Sequence, residues 1–146
     1  MAIEFEHAID LKAEPARVFA LLDDLPQTPK WLASCVAIEK LTPGPNVVGD
    51  KLKYSYKESG RQGVMDGVIE ARSTNQRLLV HYWDKMMDVT VEYLLAASAG
   101  GGTRLVHKIA ITPKTFMAKM FTPMIRKGLP KQTTAAMESL RKLLGE

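Results

Sequence analysis

Two histidines and four tyrosines carry most of the chemistry open to this chain. His7 and His107 are the ionisable side chains that strand parity turns toward an interior, and imidazole is the side chain that titrates nearest neutrality. Set close together, with Asp66 or Glu70 nearby, they would form a general acid or base. Set apart, each would be a neutral histidine donating to a backbone carbonyl. Tyr54, Tyr56, Tyr82 and Tyr93 sit among aliphatic residues in alternating runs, so their rings would build an apolar wall and their hydroxyls would orient a polar group on a guest. Asp66 and Glu70 share one parity, but the cleaner apolar set on that strand is Met65, Gly67, Ile69 and Ala71. That choice sends both carboxylates to solvent and dissolves any dyad. His107 is left as a catalytic candidate, with no firm catalytic assignment.

Other chemistries lack their residues. There is no Gly-x-Ser-x-Gly, no His-Glu-x-x-His and no phosphate-cradling glycine loop. Cys35 is the single cysteine, which rules out an internal disulfide and argues against a cysteine-based zinc site. No metal and no cofactor are expected. The 146 residues suit one domain, 1–146, with a single core. No apolar run reaches the roughly 18 residues that span a bilayer, and the first residues lack a basic stretch followed by a long apolar one. The expected location is cytoplasmic.

Periodicity supplies the elements that would position these side chains. Ile3, Phe5, His7, Ile9 and Leu11 alternate with polar residues, as a strand with one buried face does. Pro15 opens a short helix with Val18, Leu21 and Leu22 on one side, and Pro26 and Pro29 punctuate a second short helical stretch through Trp31 and Leu32. Six further strands are predicted over 36–41, 50–57, 62–72, 78–84, 87–97 and 103–112. Turn chemistry separates them at Pro43-Gly44-Pro45-Asn46, Ser59-Gly60, Ser73-Thr74-Asn75-Gln76, Lys85-Met86 and Gly100-Gly101-Gly102. With no helix between them, the sheet should be antiparallel with consecutive strands adjacent. The inward sets would include Leu52, Tyr54 and Tyr56; Leu78, Val80 and Tyr82; Val89, Val91, Tyr93 and Leu95; and Leu105, His107, Ile109 and Ile111. His81 and Trp83 fall on the opposite parity.

After Pro113, Met117, Met120, Phe121, Met124 and Ile125 recur at helical spacing. Methionines facing a sheet would make an adaptable apolar interior, with Met137, Leu140 and Leu144 renewing the stripe. Pro123 and Pro130 predict kinks or a break, and Gly128 before Leu129-Pro130 reads as one helix ending and another beginning. The formal net charge is +4, yet this end alone has seven basic residues (Lys114, Lys119, Arg126, Lys127, Lys131, Arg141 and Lys142) against Glu138 and Glu146. Such a helix solvates its outer face with lysine or touches an anionic membrane transiently. Nucleic acid is not expected, because the basic residues lack interleaved exposed aromatics.

The order of strand, two short helices, six strands and C-terminal helix resembles the START/Bet v 1-like superfamily, the polyketide cyclase/dehydrase and lipid transport family. The likeness is carried by Ile9-Asp10-Leu11-Lys12-Ala13-Glu14-Pro15-Ala16-Arg17-Val18-Phe19, Pro29-Lys30-Trp31-Leu32, Val48-Gly49-Asp50-Lys51-Leu52 and Gly101-Gly102-Thr103-Arg104-Leu105. It covers essentially the whole chain. It implies an α+β helix-grip fold: a seven-stranded curved antiparallel sheet, two short helices, and a long, kinked C-terminal helix with a cavity beneath it. A lipid, polyketide or similar apolar molecule would occupy that cavity. The expected ligand contacts are Trp31, Tyr54, Tyr56, Tyr82, Tyr93, His107, Ile109, Met117, Met120, Phe121 and Met124. Trp31 would either close one end of the cavity or act structurally. Arg61 would guard the mouth or solvate a turn. Binding or carriage of an apolar small molecule is the leading expectation. The alternatives are a cyclase/dehydratase-type enzyme using the same cavity and a membrane-associated module docking through the basic helix. Trp83, beside Met86 and Met87, would belong to a homodimer contact or a lipid-facing patch.

Overall fold

The structure, a computed structural model, describes residues 2–58 and 60–146. Strand β1 (Ile3–Leu11) leads into helix α1 (Pro15–Asp23) and a 3-10 segment (Leu25–Lys30). Then come β2 (Cys35–Lys40), β3 (Lys51–Glu58), β4 (Arg61–Ser73), β5 (Arg77–Trp83), β6 (Met87–Ala97) and β7 (Thr103–Pro113). Helices α2 (Phe116–Lys119) and α3 (Thr122–Leu143) complete the chain. The seven strands form one antiparallel sheet in the order β1-β7-β6-β5-β4-β3-β2. This is the helix-grip arrangement, with β1 and β2 as the two edges and α1 and the 3-10 segment crossing between them.

The elements begin and end for local reasons. Pro15 enters α1 at its first turn, where a missing N–H costs nothing, and the carbonyl of Glu14 accepts from the N–H groups of Arg17 and Val18. The turn after β4 places Asn75 at φ 64°, a conformation that asparagine tolerates. Ser59 of the predicted Ser59-Gly60 turn lies outside the described residues; Gly60 beside it adopts φ 78°. Bulges between Cys35 and Ala37 and between Ile69 and Ala71 interrupt the ladders and bend their strands. Off the sheet, Arg72 grips Asp23 at the end of α1 through two bonds of 2.7 and 2.9 Å, and Asn46 donates to the same carboxylate at 2.9 Å.

The core alternates as expected: Leu52, Met65, Ile69, Leu78, Val80, Leu95 and Leu105 are all buried. Asp66 and Glu70 face solvent, Asp66 pairing with Lys53 at 2.7 Å. His81 and the half-buried Trp83 occupy the outer face, where His81 Nε2 lies 3.0 Å from Asp88.

The C-terminal region corrects two expectations. Helix α3 runs unbroken for 22 residues through Gly128 and Pro130; Pro130 removes a hydrogen bond from the Arg126 carbonyl without ending the helix. The interruption lies earlier, at Met120-Phe121, so Pro123 starts α3 near its first turn instead of breaking it. The second correction is one of helical phase. Ala118, not Met117 or Met120, is fully buried, and the inward line continues through Leu129, Thr133, Ala136, Met137 and Leu140. Thr115 fixes this rotation by accepting the Ala118 N–H at 3.0 Å. Phe116, Met117 and Met120 are accordingly 82%, 68% and 67% exposed.

Candidate functional site

Between the concave face of the sheet and α3 lies a cavity of about 380 Å³, within the size range of small-molecule sites. Burial marks its depth. Tyr82, Tyr93 and His107 line it and are about 95% buried, whereas Glu58, Met124, Lys127 and Lys131 line it and are exposed. The interior is therefore the wall formed by β5, β6 and β7, and the mouth opens between the β3–β4 turn and the first half of α3.

Strand register builds the wall. Tyr93 and His107 are directly opposite on β6 and β7, and their rings stack with centroids 4.8 Å apart. Tyr54 and Tyr82 meet across the intervening strand at 4.7 Å. Two glycines seat the tyrosines: Gly63 opposes Tyr56 and Gly67 opposes Tyr82. A Cβ on Gly63 would come within 2.7 Å of the Tyr56 hydroxyl oxygen, and one on Gly67 within 2.6 Å of Tyr82 Cδ1. The missing side chains let both rings lie flat over β4.

The interior is largely apolar and nearly uncharged. Burial drives the Tyr82 and Tyr93 hydroxyls far above their ordinary titration range and pushes the Cys35 thiol up to about 11. His107 moves the other way: burial, with a smaller contribution from neighbouring His7, lowers its pKa to about 4. Its Nδ1 and Nε2, together with Trp31 Nε1, are buried with no hydrogen-bond partner among the described residues. His7 pairs with His107 across the β1–β7 ladder, but no carboxylate joins them among the described residues, so the acid–base cluster open to the sequence does not assemble. Nor do the described residues hold a group of three or more His, Cys, Asp or Glu side chains placed to bind a metal.

Of the residues expected to contact a ligand, Tyr54, Tyr56, Tyr82, Tyr93, His107, Ile109 and Met124 line this cavity. Trp31 is buried behind it, edge-on to Tyr93 at 6.1 Å. Met117 and Met120 point to solvent, and Phe121 stands beside the mouth with the Arg61 guanidinium 5.0 Å above its ring. Arg61 itself lines the opening. The sequence reading missed Thr28, Ser34, Gln132 and Thr133, polar residues that also line the cavity. Gln132 on α3 donates to Ser34 before β2, a bridge between segments 98 residues apart that no local pattern announces.

No helix in the described residues is long and apolar enough to cross a membrane. Among the solved structures that share the fold, a START superfamily protein from Mycobacterium smegmatis is 12% identical with a TM-score of 0.79, covering 95% of this chain and 94% of its own. The Zhui aromatase/cyclase from a Streptomyces species is 10% identical with a TM-score of 0.79, covering 97% and 93%. A protein from Thermus thermophilus is 14% identical with a TM-score of 0.76, covering 97% and 95%. Identities this low bear on the fold alone. No curated protein matches the sequence. The family model described as polyketide cyclase / dehydrase and lipid transport matches residues 2–145, and with the strand order and gripped helix in place, the chain belongs to that family.

Proposed function

We propose that this protein binds and carries an apolar small molecule, a lipid, polyketide or similar compound, in the cavity between the sheet and α3. The carrying observation is the cavity itself: about 380 Å³ walled by aliphatic and tyrosine side chains, with charged residues confined to its mouth. A guest there gains about 25 cal/mol for each Å² of apolar surface removed from water. Native mass spectrometry of protein purified from its own host is expected to show a co-purifying mass of lipid or polyketide size. Its repeated absence across mild preparations would defeat the carrier reading.

Binding is favoured over cyclase or dehydratase chemistry by the state of His107. An acid–base catalyst works best with a pKa near the working pH, and this imidazole, lowered to about 4 with no carboxylate to orient it among the described residues, stays neutral and weakly basic at pH 7. The family and the likeness to an aromatase/cyclase keep the enzyme reading as the alternative. A membrane-docking role is supported by a separate observation. Phe116, Met117 and Met120 are exposed beside Lys114 and Lys119, on the segment that leads to the cavity mouth. Exposed apolar groups among cations are what an anionic lipid surface accepts.

A further inference from the structure

We propose that the inner end of the cavity recognises an uncharged oxygen, a hydroxyl or a carbonyl, on an otherwise apolar ligand, and that His107 is the residue that reads it. The inference rests on the cavity being a small-molecule site and adds the class of molecule it selects.

His107 is 5% exposed, lines the cavity, and has both ring nitrogens unpaired among the described residues. Buried polar groups are almost always hydrogen-bonded, because leaving one unpaired costs more than a made bond returns. The inward positions before and after it on β7, Leu105 and Ile109, are aliphatic, so a similar side chain would fill this position without that cost. Tyr93 covers one face of the ring at 4.8 Å and His7 is its β1 neighbour, and neither supplies the nitrogens with a hydrogen bond.

The chemistry of the missing partner follows from the surroundings. A neutral imidazole offers one N–H and one bare nitrogen. A hydroxyl can use either, and a carbonyl accepts from the N–H. A carboxylate would have to shed its water with no cation inside to meet it, since Arg61, Lys127 and Lys131 all stand at the mouth. An ammonium group would find no carboxylate deeper than Glu58, which is exposed at the same rim. The Tyr54 hydroxyl is a poorer candidate for the reader, being set beside the Ser34 and Cys35 side chains.

The test compares naphthalene with 2-naphthol by calorimetry on the wild type and on His107→Phe. The ratio of the two affinities should shift by about tenfold toward naphthalene in the variant, the effect of one lost hydrogen bond. A ratio that does not move overturns the assignment of His107. Nitrogen-15 spectra of the wild-type imidazole need no variant: 2-naphthol should shift the His107 ring signals, while naphthalene and 2-naphthoate should not. Equal shifts with 2-naphthoate would overturn the uncharged-oxygen selectivity. If the wild type binds 2-naphthol and naphthalene with His107 unperturbed, the cavity reading stands and this one falls; if it binds none of the three, both fall.

Discussion

His107 ties stability to pH in a direction that can be worked out. Its folded pKa of about 4 lies below the ordinary 6.5, so between those values the unfolded chain holds more protons than the folded one. Stability is then complete above pH 6.5 and falls as pH drops toward 4, by about 3 kcal/mol from this group. Denaturant unfolding at a series of pH values should show that loss in the wild type and a shallower slope in His107→Phe, with His7 and Tyr93, the groups facing it, unchanged. The variant should also be more stable at pH 7 by about 1 kcal/mol, because an unpaired buried polar group has gone. A variant less stable at pH 7 with the wild-type slope would mean that the histidine is an ordinary core residue. Gly67 provides a second test at this scale. Gly67→Ala places a Cβ 2.6 Å from Tyr82 Cδ1 and 3.3 Å from Leu52 Cβ, so it should cost about 1–3 kcal/mol and push the Tyr82 ring into the cavity. Weaker fluorescence enhancement of a bound anilinonaphthalene dye would report the lost volume; unchanged stability and unchanged dye binding would refute the seating role.

Among the elements, strands were legible and the helical phase was not. Alternation has a period of two, so one well-placed residue fixes a whole face, and Tyr54, Tyr82, Tyr93 and His107 fell on the correct side for that reason. The segment after Pro113 shows one apolar line by spacing, Met117, Met120, Phe121, Met124 and Ile125, and Ala118 falls outside it. Bulk favours the methionines by composition, but the small Ala118 fits against the sheet, Met117 and Met120 are left outside, and of the three methionines only Met124 reaches the cavity. Pro123 and Pro130 predict kinks or a break, but Pro123 starts α3, and at Pro130 the packed helix continues despite the lost bond. The Ser34–Gln132 bridge was beyond reach, since a 98-residue separation leaves no periodic trace. It ties α3 to the segment before β2 over the cavity. Gln132→Ala should lower stability by about 1 kcal/mol and speed the release of a bound dye in stopped-flow fluorescence. An unaltered release rate would take the bridge out of any gating role.

At the level of the whole molecule, element order sufficed for the architecture, because an antiparallel run with short turns leaves few ways to order seven strands. The cavity was not readable in the same way: the same alternating pattern serves a filled core, and only the placement of α3 over the glycine-seated tyrosines separates the two. Charge and exposed apolar surface coincide at one end of this body, at Lys114, Phe116, Met117, Lys119 and Met120. Flotation with vesicles of anionic lipid should therefore succeed at low ionic strength, weaken as salt is added, and fail for the double variant Met117→Ser, Met120→Ser. Flotation indifferent to lipid charge and to both substitutions would eliminate membrane docking. At the far end, both side-chain oxygens of Glu146 accept backbone N–H groups, from Lys12 at 2.7 Å and Ala13 at 3.0 Å. Helix α3 separates that corner from Met124 at the opening by about 29 Å, at 1.5 Å per residue. A tag or surface tether attached after Glu146 would thus hold the protein by its heel, leaving the entrance free for sensor measurements on the immobilised chain.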